Sequence, residues 1–84
     1  MSKHDLGLIR ALLTLLRALG DGGLCEDRIA MELDIAAGRC VTTFQAQDTY
    51  LFCKDKGWIE SRTDDFGRVL VFITEAGKNR LAGM

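Results

Sequence analysis

Nowhere does the chain carry the roughly 18 uninterrupted apolar residues that crossing a bilayer needs; its longest apolar stretch is broken by Arg10, Thr14 and Arg17. The opening Met-Ser-Lys-His-Asp does not lead into a signal peptide with a small-residue cleavage site, so a cytoplasmic location with no membrane partner is expected. Histidine occurs once, as His4, and cysteine three times, as Cys25, Cys40 and Cys53. An odd number of widely spaced thiols with one possible nitrogen ligand supports neither a disulfide framework nor a tetrahedral zinc site. Three reduced structural thiols are expected instead, and only Lys54 is near enough in sequence to lower a thiol's pKa. The pattern of a nucleophile with its base, of paired carboxylates or of a metal site is missing. Gly20-Asp21-Gly22-Gly23 lacks the strand and the lysine of a phosphate-binding loop. An enzyme is therefore not expected, and neither is a cofactor. Basic excess is lacking too: the net charge is -1, which gives no global attraction to nucleic acid.

What is present is ordinary globular composition, 48% apolar and 27% charged, over 84 residues. That length suits one small domain covering residues 1–84, which must use its core efficiently because only about 60 to 65% of its unfolded surface can be buried. Charge is unevenly spread. Residues 21–34 carry Asp21, Glu26, Asp27, Glu32 and Asp34 against Arg28 alone, whereas the chain from residue 39 onward is nearly balanced.

Ser2 and Asp5 give a weak cap signal before Leu6, Leu8, Ile9, Leu12, Leu13, Leu15, Leu16 and Leu19, which at helical spacing fill half a wheel. The glycine run at 20–23 should end that helix. So wide an apolar arc exceeds what one small core requires, and self-association through this helix is expected. A second helix should start near Cys25 or Glu26 and place Ile29, Ala30 and Leu33 inward. Residues 41–56 contain no glycine or proline and read as a third helix stopping at Gly57. If regular, it sets Val41, Phe44, Leu51 and Phe52 on one side, where Asp48 and Asp55 interrupt them. Either it is kinked or starts later, or Tyr50 and Cys53 make the core contact and the phenylalanines face a partner. Trp58 to Arg62 and Arg68 to Ile73 then read as strands around a turn at residues 63–67. Thr74 can cap a final helix that returns Leu81 to the core.

Three segments carry a family resemblance over about residues 6 to 82. "CEDRIAMELDI" resembles the second helix of winged helix-turn-helix regulators, "CKDKGWIE" their third-helix exit, and "FITEAGKNRL" their strand-to-helix junction, commonly Leu-Thr-x-x-Gly-x-x-x-Leu. The chain thus resembles the winged-helix superfamily of bacterial and archaeal transcription regulators. It departs from them in a longer interval between Ile35 and Gly57 and in few basic residues on the third helix. The implied fold is α+β, a three-helix bundle followed by a β-hairpin wing and a short C-terminal helix. The implied function is transcription regulation on double-stranded DNA, as a homodimer through the first helix. Thr43, Gln45 and Gln47 would meet base edges, since an amide pairs bidentately with adenine. Arg39, Lys54, Arg62 and Arg68 would hold phosphates. The structural counterweight is that the glutamines are merely solvated and that Arg62 and Arg68 pair with Asp64 and Asp65. The alternative function is a protein-interaction or assembly module anchored by Phe44, Tyr50, Leu51, Phe52 or Phe66.

Overall fold

The computed structural model describes residues 5–84. Its first helix, α1 (Leu6–Leu19), is capped by Asp5, whose carboxylate accepts from the amides of Gly7 and Leu8. Ser2 and His4 lie outside the described residues. The helix stops at Gly20, and a 3₁₀ turn (Gly20–Gly22) leads through Gly23 into a two-residue strand, β1 (Leu24–Cys25). Gly23 is required twice over: its φ is +66°, and a Cβ there would stand 2.7 Å from the Phe72 ring. A second 3₁₀ turn (Glu26–Arg28) opens α2 (Ile29–Ala37), which buries Ile29 and Leu33.

The loop from Gly38 to Thr42 absorbs the extra length between the second and third helices. Inside it the Val41 amide donates to the Asp34 carboxylate at 2.6 Å, and the Val41 side chain is buried. Helix α3 (Thr43–Asp55) therefore begins later than residue 41. Thr42 and Gln45 close a capping box there: the Thr42 hydroxyl accepts from the Gln45 amide, and the Gln45 side-chain carbonyl accepts from the Thr42 amide, each at 3.0 Å. The core side of α3 is Ala46, Thr49, Tyr50 and Cys53, while Phe44 and Leu51 face outward. Phe52 is half-buried, edge-on to Trp58 with ring centres 5.8 Å apart.

Strands β2 (Ile59–Thr63) and β3 (Val69–Ile73) form the hairpin, in register from Ile59 opposite Ile73 to Thr63 opposite Val69. The sheet has three strands in the order β1-β3-β2, because Leu24 and Cys25 pair with Val71 and Leu70 on the other side of β3. Two residues are too few to show alternation, which is why β1 has no signature in the sequence. Thr74 then does two jobs. Its hydroxyl accepts from the Gly77 amide to cap α4 (Glu75–Ala82) and donates to the Gly57 carbonyl at 2.6 Å, tying α4 to the exit of α3.

The core gathers around α1, which touches α2, α3, α4 and β3. Leu8, Ile9, Leu12, Leu13 and Leu16 are all essentially inaccessible. Most of the wide apolar arc is thus consumed inside the molecule, and Leu8 is not available to a second copy. Outside remain Leu6 and Leu19 at the ends of α1 and a shallow groove of Gly7, Arg10, Ala11, Thr14, Leu15 and Ala18.

Candidate nucleic-acid interface

Helical geometry sorts the outer surface of α3 into three parallel lines, each residue turning about 100° from the last. Thr43, Gln47 and Lys54 form one. Phe44 and Leu51, 78% and 53% exposed, form the next. Asp48 and Asp55 lie beyond them. Leaving a large apolar side chain in water forgoes about 2 kcal/mol relative to burying it, so two on one short helix are a notable cost for a chain this size.

Thr43, Gln47 and Lys54, three of the seven predicted contact residues, are exposed together on that surface. Lys54 also lies over the Tyr50 ring at 5.8 Å. Gln45 does not join them. It is half-buried and its side-chain carbonyl is committed to the helix start. The spacing Thr42-Thr43-Phe44-Gln45 is a capping-box signal that sequence reading could have recognised.

Arg39 stands before α3, ion-paired with Asp5 and so pinned to the start of α1. Desolvation pushes the Asp5 carboxyl up, yet the Leu8 and Gly7 amides and the Arg39 guanidinium outweigh it and hold the group below its ordinary 3.8. Arg62 and Arg68 sit on the hairpin. Arg68 pairs with Asp64 at 2.8 Å, as sequence reading allowed, whereas Arg62 pairs with Glu60 and lies over the Phe72 ring. Asp64 also builds the turn, one carboxylate oxygen accepting from the amides of both Phe66 and Arg68. Those two amides and the Arg68 side chain hold its carboxyl below the usual value against desolvation, which pushes it up. At the tip, Phe66 is 83% exposed with Arg68 over its ring at 5.4 Å.

Between the 3₁₀ turn at Glu26–Arg28 and α3 runs an open groove of about 440 Å³, with Ile29 and Ala30 on one side and Thr43 and Leu51 on the other. Tyr50 is buried at its inner edge and donates to the Glu26 carboxylate at 2.9 Å. Desolvation, then Glu26, raises the phenol's pKa above its ordinary 10.0. Of the predicted protein anchors, Phe44, Leu51 and Phe66 are exposed, but Tyr50 is buried and Phe52 half-buried, so those two belong to the interior. Among the described residues, no three His, Cys, Asp or Glu side chains gather as a metal site, and no helix is long and apolar enough to cross a membrane.

No family model and no curated protein matches the chain. A solved structure does: a transcriptional regulator of the MarR family from Silicibacter pomeroyi superposes with a TM-score of 0.63 at 24% identity, over 94% of this chain. The fold is a winged helix. The winged helix spans 50% of that regulator's length. In that fold the β2–β3 hairpin is the wing.

Proposed function

We propose that this winged helix is a DNA-binding transcriptional regulator that lays α3 in the major groove, rests its wing on the phosphate backbone and works as a homodimer. This rests on α3, which turns Thr43, Gln47 and Lys54 outward along one line instead of spending them on the core. Gln47 is suited to adenine and Thr43 to a base edge, with Lys54 on phosphate. Likeness in fold to a structure described as a transcriptional regulator supports the assignment.

Arg39, Arg62 and Arg68 would hold phosphates, although each is paired with an acid. Exposed pairs of this kind add little, because water and salt screen them, so a phosphate can take the guanidinium over. The carboxylate left behind weakens every such contact, and binding by one copy should be weak. Pairing of two copies on the remaining α1 surface, around Ala11, Thr14 and Ala18, would double the contacts.

Fluorescence anisotropy of a mixed-sequence duplex tests this at about 50 mM and about 200 mM salt, where affinity should fall as salt displaces phosphate contacts. Arg62→Ala with Arg68→Ala should weaken binding to all sequences alike and flatten that dependence. Unaltered binding by this variant would move the phosphate contacts elsewhere, and no binding at all would count against DNA as the target.

The exposure of Phe44 and Leu51 favours a second reading, a protein-interaction module. There a Phe44→Ala, Leu51→Ala pair would stay folded and lose a protein partner.

A further inference from the structure

The contacts proposed above leave the Phe44 and Leu51 ridge without a role. In the major groove the four bases differ sharply: guanine presents two acceptors that suit arginine or lysine, cytosine a donor that suits a carboxylate, adenine a donor and acceptor that suit an amide, and thymine a methyl group that suits an apolar side chain. On the outer surface of α3 the one cation is Lys54, near the C-terminal end. The other exposed side chains before it are Thr43, Phe44, Gln47 and Leu51. That set matches adenine and thymine.

We propose that α3 reads A·T base pairs through the thymine methyl group, with Phe44 and Leu51 packing on methyls and Gln47 between them holding an adenine. The proposal rests on the DNA-binding reading and deepens it. The spacing agrees: seven residues of helix advance about 10.5 Å, close to three base-pair steps of about 3.4 Å each when the axis follows the groove. Charge agrees at one end, since Lys54 and Lys56 stand at the close of α3, where a phosphate wall of a groove would lie. Asp48 and Asp55 disfavour phosphate on the opposite edge. The helix should therefore lie with its Lys54 line against one strand and its Phe44 and Leu51 ridge turned toward the bases.

The test compares labelled alternating A–T, A–U and G–C duplexes by anisotropy at about 50 mM salt. The first two differ only in the thymine methyl. Losing one buried methyl lowers affinity about fourfold, so the A–T duplex should bind the protein at least about fourfold more tightly than the A–U duplex. Phe44→Ala with Leu51→Ala, which removes two exposed side chains and should keep the helical circular dichroism, should bind A–T and A–U equally. Equal affinity of the unaltered protein for A–T and A–U, or preference for G–C, overturns methyl reading while DNA binding stands. Binding to none of the three overturns both together and leaves the ridge to a protein.

Discussion

At Gly77 a single methyl group decides whether the end of the wing can close. A Cβ there would lie 2.1 Å from the Trp58 carbonyl oxygen and 2.8 Å from the Ile73 side chain. In an exposed helix, alanine would improve on glycine by about 1 kcal/mol. Here the clash dominates, and Gly77→Ala should lower stability by about 1 to 3 kcal/mol as overpacking does, read as a drop in the urea midpoint. A midpoint at or above that of the unaltered protein would mean that the junction has slack. The cysteines make the same point about surroundings. Cys40 is exposed, Cys25 half-buried and Cys53 buried, and burial pushes the Cys53 thiol up from 9.0 to about 12. Iodoacetamide should label Cys40 readily in native protein and spare Cys53 until the chain unfolds. Equal labelling rates at the two would remove Cys53 from the core. The linked pH effect has a definite sign: between about 9 and 12 the unfolded thiol ionises and the folded one does not, so this group's contribution to stability declines as pH rises through that window.

Among the elements, α3 shows where local pattern and tertiary packing part company. Thr42→Ala removes one half of the capping box and should cost about 1 kcal/mol, measurable as a lower melting temperature with the fold intact. A melting temperature unmoved by the change would mean that solvent caps the helix as well. Helix α1, the hairpin and the Thr74 cap were legible from the chain because each is written in neighbouring residues: a period, a turn, a hydroxyl before a helix. The inward side of α3 was legible only as one of the alternatives, Tyr50 and Cys53 inside, because it is built from Ala46, Thr49, Tyr50 and Cys53 while Phe44 and Leu51 point out. A reading that assumes that the largest apolar residues go inside turns such a helix round. Asp48 and Asp55, which look misplaced when Phe44 and Leu51 are set inside, sit naturally beside an outward ridge. Of the candidate contacts, Thr43, Gln47 and Lys54 could be found by period, but the commitment of Gln45 to the cap could be found only by reading the capping box.

For the molecule as a whole, α1 is the axis on which α2, α3, α4 and β3 pack, and this changes what a disruption would do. Leu8→Glu would place a charge at a fully enclosed site and should unfold the protein instead of separating two copies. Ala18→Glu touches only exposed surface. If α1 pairs two copies through its remaining groove, that variant should stay folded and sediment as a monomer; an unchanged dimer mass would place the contact elsewhere. The order β1-β3-β2 has a separate consequence for behaviour at high concentration. It leaves β2 as the long open edge of the sheet, and its exposed residues include Glu60 and Arg62. With a net charge of only -1, molecules repel one another little at a distance. Protection against strands of separate molecules zipping together therefore falls to the charged side chains of that edge and to the shortness of β1 at the other.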